Sequence, residues 1–180
     1  MPFSHDWPRL FTREAEVARS VFGSNDLDIQ HIGSTSVPGM AGKPLIDLLV
    51  IVQNARVAAA HAPQMVEGGY TNYGDYLGKG SHLFVREENG QRLVNLHVFP
   101  IGHEHIREML GLRDYLRRHP EEVTAYSNLK LSVYREHPTD YTTYRKLKDA
   151  YVDKLMERVE AWLAEDPYVL ASETRTSRNA

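Results

Sequence analysis

The sequence predicts an α/β domain: a small mixed sheet flanked by helices, followed by a helical half. Three observations carry this. Leu45 to Val52 is the most apolar stretch and is bounded by Pro44 and Gln53-Asn54, which suits a buried strand. His82 to Glu87 and Arg92 to Phe99 read as two strands joined across Asn89-Gly90, a hairpin turn pair. From Gly102 onward only helical periodicity is present.

The remaining elements follow in order. Pro8 to Phe22 is a first helix, with Leu10, Phe11, Val17, Ala18, Val21 and Phe22 at helical spacing and Gly23 as its stop. Leu27 to Ile32 is a short strand, and Gly33 to Gly42 is a loop rich in glycine and hydroxyl groups. Asn54 caps a helix that runs to Glu67 before Gly68-Gly69. Thr71 to Leu77 is read as a further strand. Arg107 to Arg118, Glu121 to Glu136 and Tyr141 to Ala164 are helices, with Pro120 in a first turn and Pro138 at a break. The expected organisation is an α/β half over residues 1–101, a helical lobe of the same domain over 102–165, and a flexible tail over 166–180.

Composition narrows the function. The 180 residues are 42% hydrophobic and 25% charged, ordinary globular values that argue against disorder and fibres. With 21 basic and 24 acidic side chains the formal charge is -3, which argues against a nucleic-acid partner. The absence of cysteine excludes disulfides, thiol nucleophiles and thiolate metal sites. No run reaches the roughly 18 apolar residues of a membrane span, and Met1 to Leu10 is too polar for a signal peptide. A cytoplasmic protein without a membrane partner is expected.

The chemistry is concentrated in His31-Ile32-Gly33-Ser34-Thr35-Ser36-Val37-Pro38-Gly39-Met40-Ala41-Gly42-Lys43-Pro44-Leu45-Ile46-Asp47. A loop of this kind leaves backbone N–H groups for a phosphate, and Lys43 adds a cation. Asp47 is a carboxylate inside an apolar strand, costly to bury unless paired or metal-bound. Together they point to a phosphate and divalent-cation site. A Walker P-loop does not fit, because Val37 stands where its first glycine belongs and Pro44 takes the hydroxyl position. A nucleophile elbow does not fit either, since Gly33 is followed by Ser34-Thr35-Ser36-Val37.

That run, together with Asn95-Leu96-His97-Val98-Phe99 and Arg113-Asp114-Tyr115-Leu116, resembles the GrpB-like family over most of residues 5–160. Its members are assigned to the nucleotidyltransferase superfamily. They occur alone and fused behind dephospho-CoA kinase, where they are thought to assist folding. The resemblance implies a nucleotidyltransferase-like fold, a nucleoside triphosphate ligand and Mg²⁺ or another divalent cation. The superfamily pattern is Gly-Ser, about ten residues, then Asp-x-Asp/Glu and a later third acid, a set that holds two metal ions.

Gly33-Ser34 and Asp47 match that pattern, with twelve residues between Ser34 and Asp47. The second acid is replaced by Leu49. The third would fall on the strand bearing Asn95 and His97, and neither is acidic. The resemblance therefore implies a nucleotide or phosphate binder with a degenerate acidic site, one carboxylate of the three that two-metal transfer uses. Gly33, Ser34, Thr35 and Ser36 are expected at the phosphate, with Lys43, Arg86, Tyr144 and Lys148. Asp47 and His97 are the expected catalytic and metal-holding pair, His97 replacing a lost acid. Asp47 as a structural acceptor, hydrogen-bonded by the loop or by Lys43, stands as the other reading of that residue.

Other readings remain open from the residues themselves. Nine histidines are many for this length, and His31, His82 and His97 could converge beside Asp47 on a transition metal, as in a metal-dependent hydrolase. His103-Glu104-His105 enters a helix, where residues two apart do not share a face. Tyr144, Lys148 and Tyr151 lie on one helical face and could reach a nucleotide or simply pack. Arg86 and Arg92 are candidate phosphate contacts. A non-catalytic interaction or folding-assistance domain, with a protein partner, is the alternative function.

Overall fold

The computed structural model describes residues 1–23 and 27–165. The chain forms α1 (Trp7–Phe22), β1 (Asp28–Ile32), a single 3-10 turn (Ser34–Ser36), β2 (Ile46–Val52), α2 (Ala55–Glu67) and β3 (Thr71–Asn72). It continues through the hairpin β4 (His82–Glu88) and β5 (Gln91–Pro100) into α3 (Glu104–Arg118), α4 (Pro120–Glu136) and α5 (Tyr141–Glu165). The expected tail at 166–180 lies outside the described residues. No described helix is long and apolar enough to cross a membrane.

The sheet order is β1-β2-β5-β4-β3. β2 and β5 run parallel and every other pair is antiparallel, so the sheet is mixed. Strand alternation sorts the side chains between two layers. Ile46, Leu48, Val50 and Val52 of β2 meet Val94, Leu96 and Val98 of β5 in a core closed by α1 and α2. Leu48, Val50, Leu96 and Val98 are fully buried, each contributing about 1.5–3 kcal/mol. The opposite face carries Asp47, Leu49, Asn95, His97 and Phe99; Leu49 and Phe99 pack there with Leu110 of α3. A third cluster joins Val37 and Met40 of the loop to Tyr115, Tyr126, Leu155 and Val159 of the helical half.

Local chemistry sets the element ends. Gly23 adopts a left-handed conformation and its N–H caps the Arg19 carbonyl at 3.0 Å. The Asn54 side chain accepts the Arg56 N–H at 3.0 Å. Asn89 and Gly90 both take positive φ, as the two-residue hairpin needs. α3 begins at Glu104, ahead of the expected Arg107, because the His103 ring accepts the His105 N–H as a cap. The strand expected over Thr71 to Leu77 is corrected to Thr71–Asn72. Gly74, Gly78, Lys79 and Gly80 all have positive φ, which turns the chain off the sheet edge.

Candidate functional site

Gly33 ends β1 at φ 71° and ψ -175°, a region that only glycine enters without strain. A Cβ on Gly33 would collide with Oδ2 of Asp47, so the glycine lets the turn lie against the carboxylate. The loop then closes on itself. Thr35 Oγ1 donates to the Leu45 carbonyl at 3.1 Å and pairs with His31 Nε2 at 3.0 Å. Ser36 Oγ donates to the Gly33 carbonyl at 2.7 Å. Both residues are buried, so their hydroxyls brace the loop from within. Of the four expected phosphate residues in the turn, Gly33 and Ser34 line the cavity beside it.

Asp47 and Asn95 are register partners across the parallel strands, and Asn95 Nδ2 donates to Asp47 Oδ1 at 2.8 Å. His97 is the register partner of Leu49, one step further along the same face. Its Nε2 lies 3.9 Å from Asp47 Oδ1, and the two side chains keep 13% and 20% of their surface. The other ring nitrogen, Nδ1, is 2.5 Å from the Tyr76 hydroxyl. That hydroxyl is held above its ordinary range by burial first and by the Asp47 charge second. The result is a linked set, Tyr76–His97–Asp47–Asn95, of which Asp47 lines the cavity.

The cavity holds about 350 Å³ and lies between the Gly33–Ser34 turn and the helical half. Lys43, Lys130 and Lys148 line it, with Tyr126, Tyr141 and Tyr144 as aromatic walls. Lys43 Nζ sits 4.5 Å above the Tyr141 ring and 5.3 Å from the Tyr144 ring, held by cation–π attraction. Lys148 Nζ is 3.0 Å from Asp149 Oδ1. Tyr151, grouped with Tyr144 by spacing, packs instead on Tyr126 with ring centroids 5.2 Å apart.

Lys130 is the residue that sequence reasoning missed. Its ammonium donates to Ser34 Oγ at 3.0 Å and to the Ala41 carbonyl, and it lies 4.4 Å over the Tyr126 ring. Burial, and then the Lys148 charge, push its pKa down to about 8. A signal was present: Lys130 falls in step with Val123, Tyr126, Ser127 and Val133, the buried stripe of α4. Ser127 Oγ accepts the Ala41 N–H at 3.0 Å, and Arg117 donates to the Ser36 carbonyl through Nη2 at 3.0 Å. The helical half therefore ties the loop down at both ends. Arg113, also at the cavity, makes a two-point contact with Asp114 and reaches Gln30 Oε1 at 2.8 Å.

Several expected residues are placed elsewhere. Arg86 faces the α1 layer, where it pairs with Glu14 at 2.5 Å, so it is not a phosphate contact. Arg92 pairs with Glu87 at 2.9 Å on the hairpin. His31 stacks on Phe11 of α1 with ring centroids 4.7 Å apart, and burial first, then the Arg117 charge, push its pKa down to about 4. His82 is the register partner of Val98, on the α1–α2 face, and stacks with Phe84. His31, His82 and His97 thus do not converge, because strand alternation sends two of them through the sheet. His103 stacks on Phe99 and His105 bonds Glu108, each satisfied separately.

The donor set tests the fit of a metal. Two-metal chemistry needs several carboxylates around one point. Here one carboxylate, Asp47, meets an imidazole and an amide, and no group of three His, Cys, Asp or Glu side chains converges among the described residues. The residues do not fit a two-metal centre. They fit, at most, one cation brought in by a phosphate ligand, since Mg²⁺ is held by one or two carboxylates plus substrate phosphates.

The sequence profile of the family described as GrpB protein matches residues 1–158. A UPF0157 protein of Bacillus subtilis, YqkA, is 34% identical over 89% of this chain; the chain spans 46% of YqkA, less than half its length. A UPF0157 protein of Halalkalibacterium halodurans is 34% identical, over 86% of this chain and 78% of its own. Among solved structures, the conserved protein GrpB from Enterococcus faecalis superposes with a TM-score of 0.83 at 29% identity, covering 90% of this chain and 98% of that one. The Cid1 poly(U) polymerase, solved with MgGTP, superposes with a TM-score of 0.52 at 16% identity, over 76% of this chain and 44% of Cid1. That last likeness is one of fold alone, a nucleotidyltransferase-like α/β arrangement. By its sequence profile and by these relatives, the chain belongs to the GrpB protein family.

Proposed function

We propose that this protein binds a phosphate-bearing ligand, with a nucleoside triphosphate as the first candidate, in the cavity beside the Gly33–Ser34 turn. One observation carries the reading: a chain of net charge -3 gathers three lysines, Lys43, Lys130 and Lys148, around one glycine-serine turn. Lysines that converge in this way raise the local concentration of an anion despite the overall charge. Lys130 positions Ser34 and offers the buried charge, Lys43 and Lys148 neutralise the outer phosphates, and Tyr144 walls the cavity. Asp47, with His97 beside it, would hold a divalent cation arriving with the phosphates, and that cation would supply charge neutralisation. Nucleotidyl transfer itself is not part of the reading, because Leu49, Asn95 and His97 stand where further acids are needed. A nucleoside triphosphate ligand would go with a cytoplasmic location, which is part of this reading.

A second reading, a non-catalytic interaction or folding-assistance domain, is favoured by one observation. Asn95 supplies Asp47 Oδ1 with a hydrogen bond from within the chain. Titration calorimetry separates the two. ATP, GTP, CTP and UTP are titrated with and without Mg²⁺ or Mn²⁺ into the wild type, Asp47→Asn and Lys130→Met. Binding that weakens at least about tenfold in Lys130→Met supports the ligand reading, since a hydrogen bond from a charged group contributes about 1.5–3 kcal/mol. No heat from any nucleotide at sub-millimolar sensitivity overturns it in favour of the interaction domain.

A further inference from the structure

The helical half carries a second concavity, about 690 Å³, between α3 and α5. Its floor is apolar, made by Met109 and Leu112 of α3 with Val152 and Met156 of α5. Its rim is acidic: each charged residue that lines it is an aspartate or a glutamate. Two rim carboxylates have internal partners, Glu108 with His105 and Glu160 with Arg107 at 3.8 Å. Among the described residues Asp153 and Glu157 form no ion pair, although they stand one turn apart on α5. Like charges at that spacing repel and destabilise a helix. The chain accepts this repulsion beside two methionines, side chains that adapt readily to an apolar partner.

We propose that this groove docks a basic amphipathic helix of a partner protein. The apolar face of that helix lies on the methionine floor, and its Lys or Arg flanks meet Asp153 and Glu157, in the helix-in-groove mode of recognition. The charge pattern selects this occupant over the alternatives. A second copy docked symmetrically through the groove would bring the same carboxylates together. An anionic lipid surface would meet the same repulsion. The site also stands apart from the proposed phosphate site in sign, one cavity being lined by lysines and the other rimmed by acids. Met109, Leu112 and Val152 line both, so the two cavities share an apolar wall.

The test uses the full chain and a fluorescent amphipathic Leu/Lys model peptide, read by anisotropy, with a Leu/Glu peptide of the same pattern as control. The double variant Asp153→Lys/Glu157→Lys is compared with Glu67→Lys/Glu88→Lys, which changes net charge equally at exposed sites outside the groove. The expected result is binding of the Leu/Lys peptide that falls at least about tenfold in the groove variant and stays unchanged in the control variant. Met156→Asp, with its fold checked by circular dichroism, also weakens binding. The proposal is overturned by equal loss in both double variants, by equal binding of the Leu/Glu peptide, or by no binding at sub-millimolar sensitivity. Displacement by spermidine, together with indifference to Met156→Asp, also overturns it, since that marks a small-polyamine site.

Discussion

Asn95 donates through Nδ2 to Asp47 Oδ1 at 2.8 Å from the directly opposed position on the neighbouring parallel strand. An acid at that position would place two carboxylates within contact, which is stable only with a cation between them or a proton on one. The amide replaces that requirement with a hydrogen bond. One carboxylate oxygen thereby has a donor without a metal, while Oδ2 stays against the Gly33 turn.

Asn95→Asp places an acid directly opposite Asp47, on the strand where the third acid would fall. Without metal the variant loses about 1–3 kcal/mol at neutral pH, through repulsion and the lost hydrogen bond. Added Mg²⁺ or Mn²⁺ then raises its Tm while leaving the wild type unchanged. Thermal unfolding with and without each metal checks this, and equal metal response of both proteins refutes it.

Lys130 makes stability depend on pH in a defined window. Its folded pKa lies near 8 and its ordinary value is 10.5. Between these values the unfolded chain binds the extra proton, so stability rises with pH across the window and is lost as pH falls through about 8. Relative to Lys130→Met, the wild type gains about 3 kcal/mol between pH 7 and the upper end of the window. Chemical denaturation of both proteins over that range measures the difference. The same deprotonation lowers anion affinity above pH 8 in the wild type alone.

Arg86 separates stability from binding. Its guanidinium pairs with the buried Glu14, which also accepts the Tyr70 hydroxyl at 2.5 Å. Arg86→Ala leaves that carboxylate with one partner, and a fall in Tm of about 4–10 °C is expected. Nucleotide titration heats stay as in the wild type. A loss of affinity with no loss of Tm contradicts this placement.

The elements most legible in the sequence are those with local causes. Asn89-Gly90 encodes its own turn, Gly23 its own stop, and Asn54 its own cap. The Gly33–Ser34 turn was legible as a tight glycine-serine loop ahead of β2, but the buried hydroxyls of Thr35 and Ser36 were not, because they serve backbone groups placed only by folding. The histidines were misleading for a related reason. Which face His31 and His82 occupy depends on register with β2 and β5, and one residue of slip reverses it. Lys130 was hidden by distance: Ser34 precedes it by 96 positions, and no local pattern announces a contact of that length.

The ties from Arg117, Ser127 and Lys130 to the 33–42 loop have a dynamic consequence. Any breathing that lifts α4 from the 33–42 loop takes Ser127 from the Ala41 amide and Lys130 from the Ala41 carbonyl in one stroke. Opening to admit a guest and loosening of the loop are then a single event. The exchange rate of one backbone proton, that of Ala41, becomes a clock for how often the cavity is open to solvent.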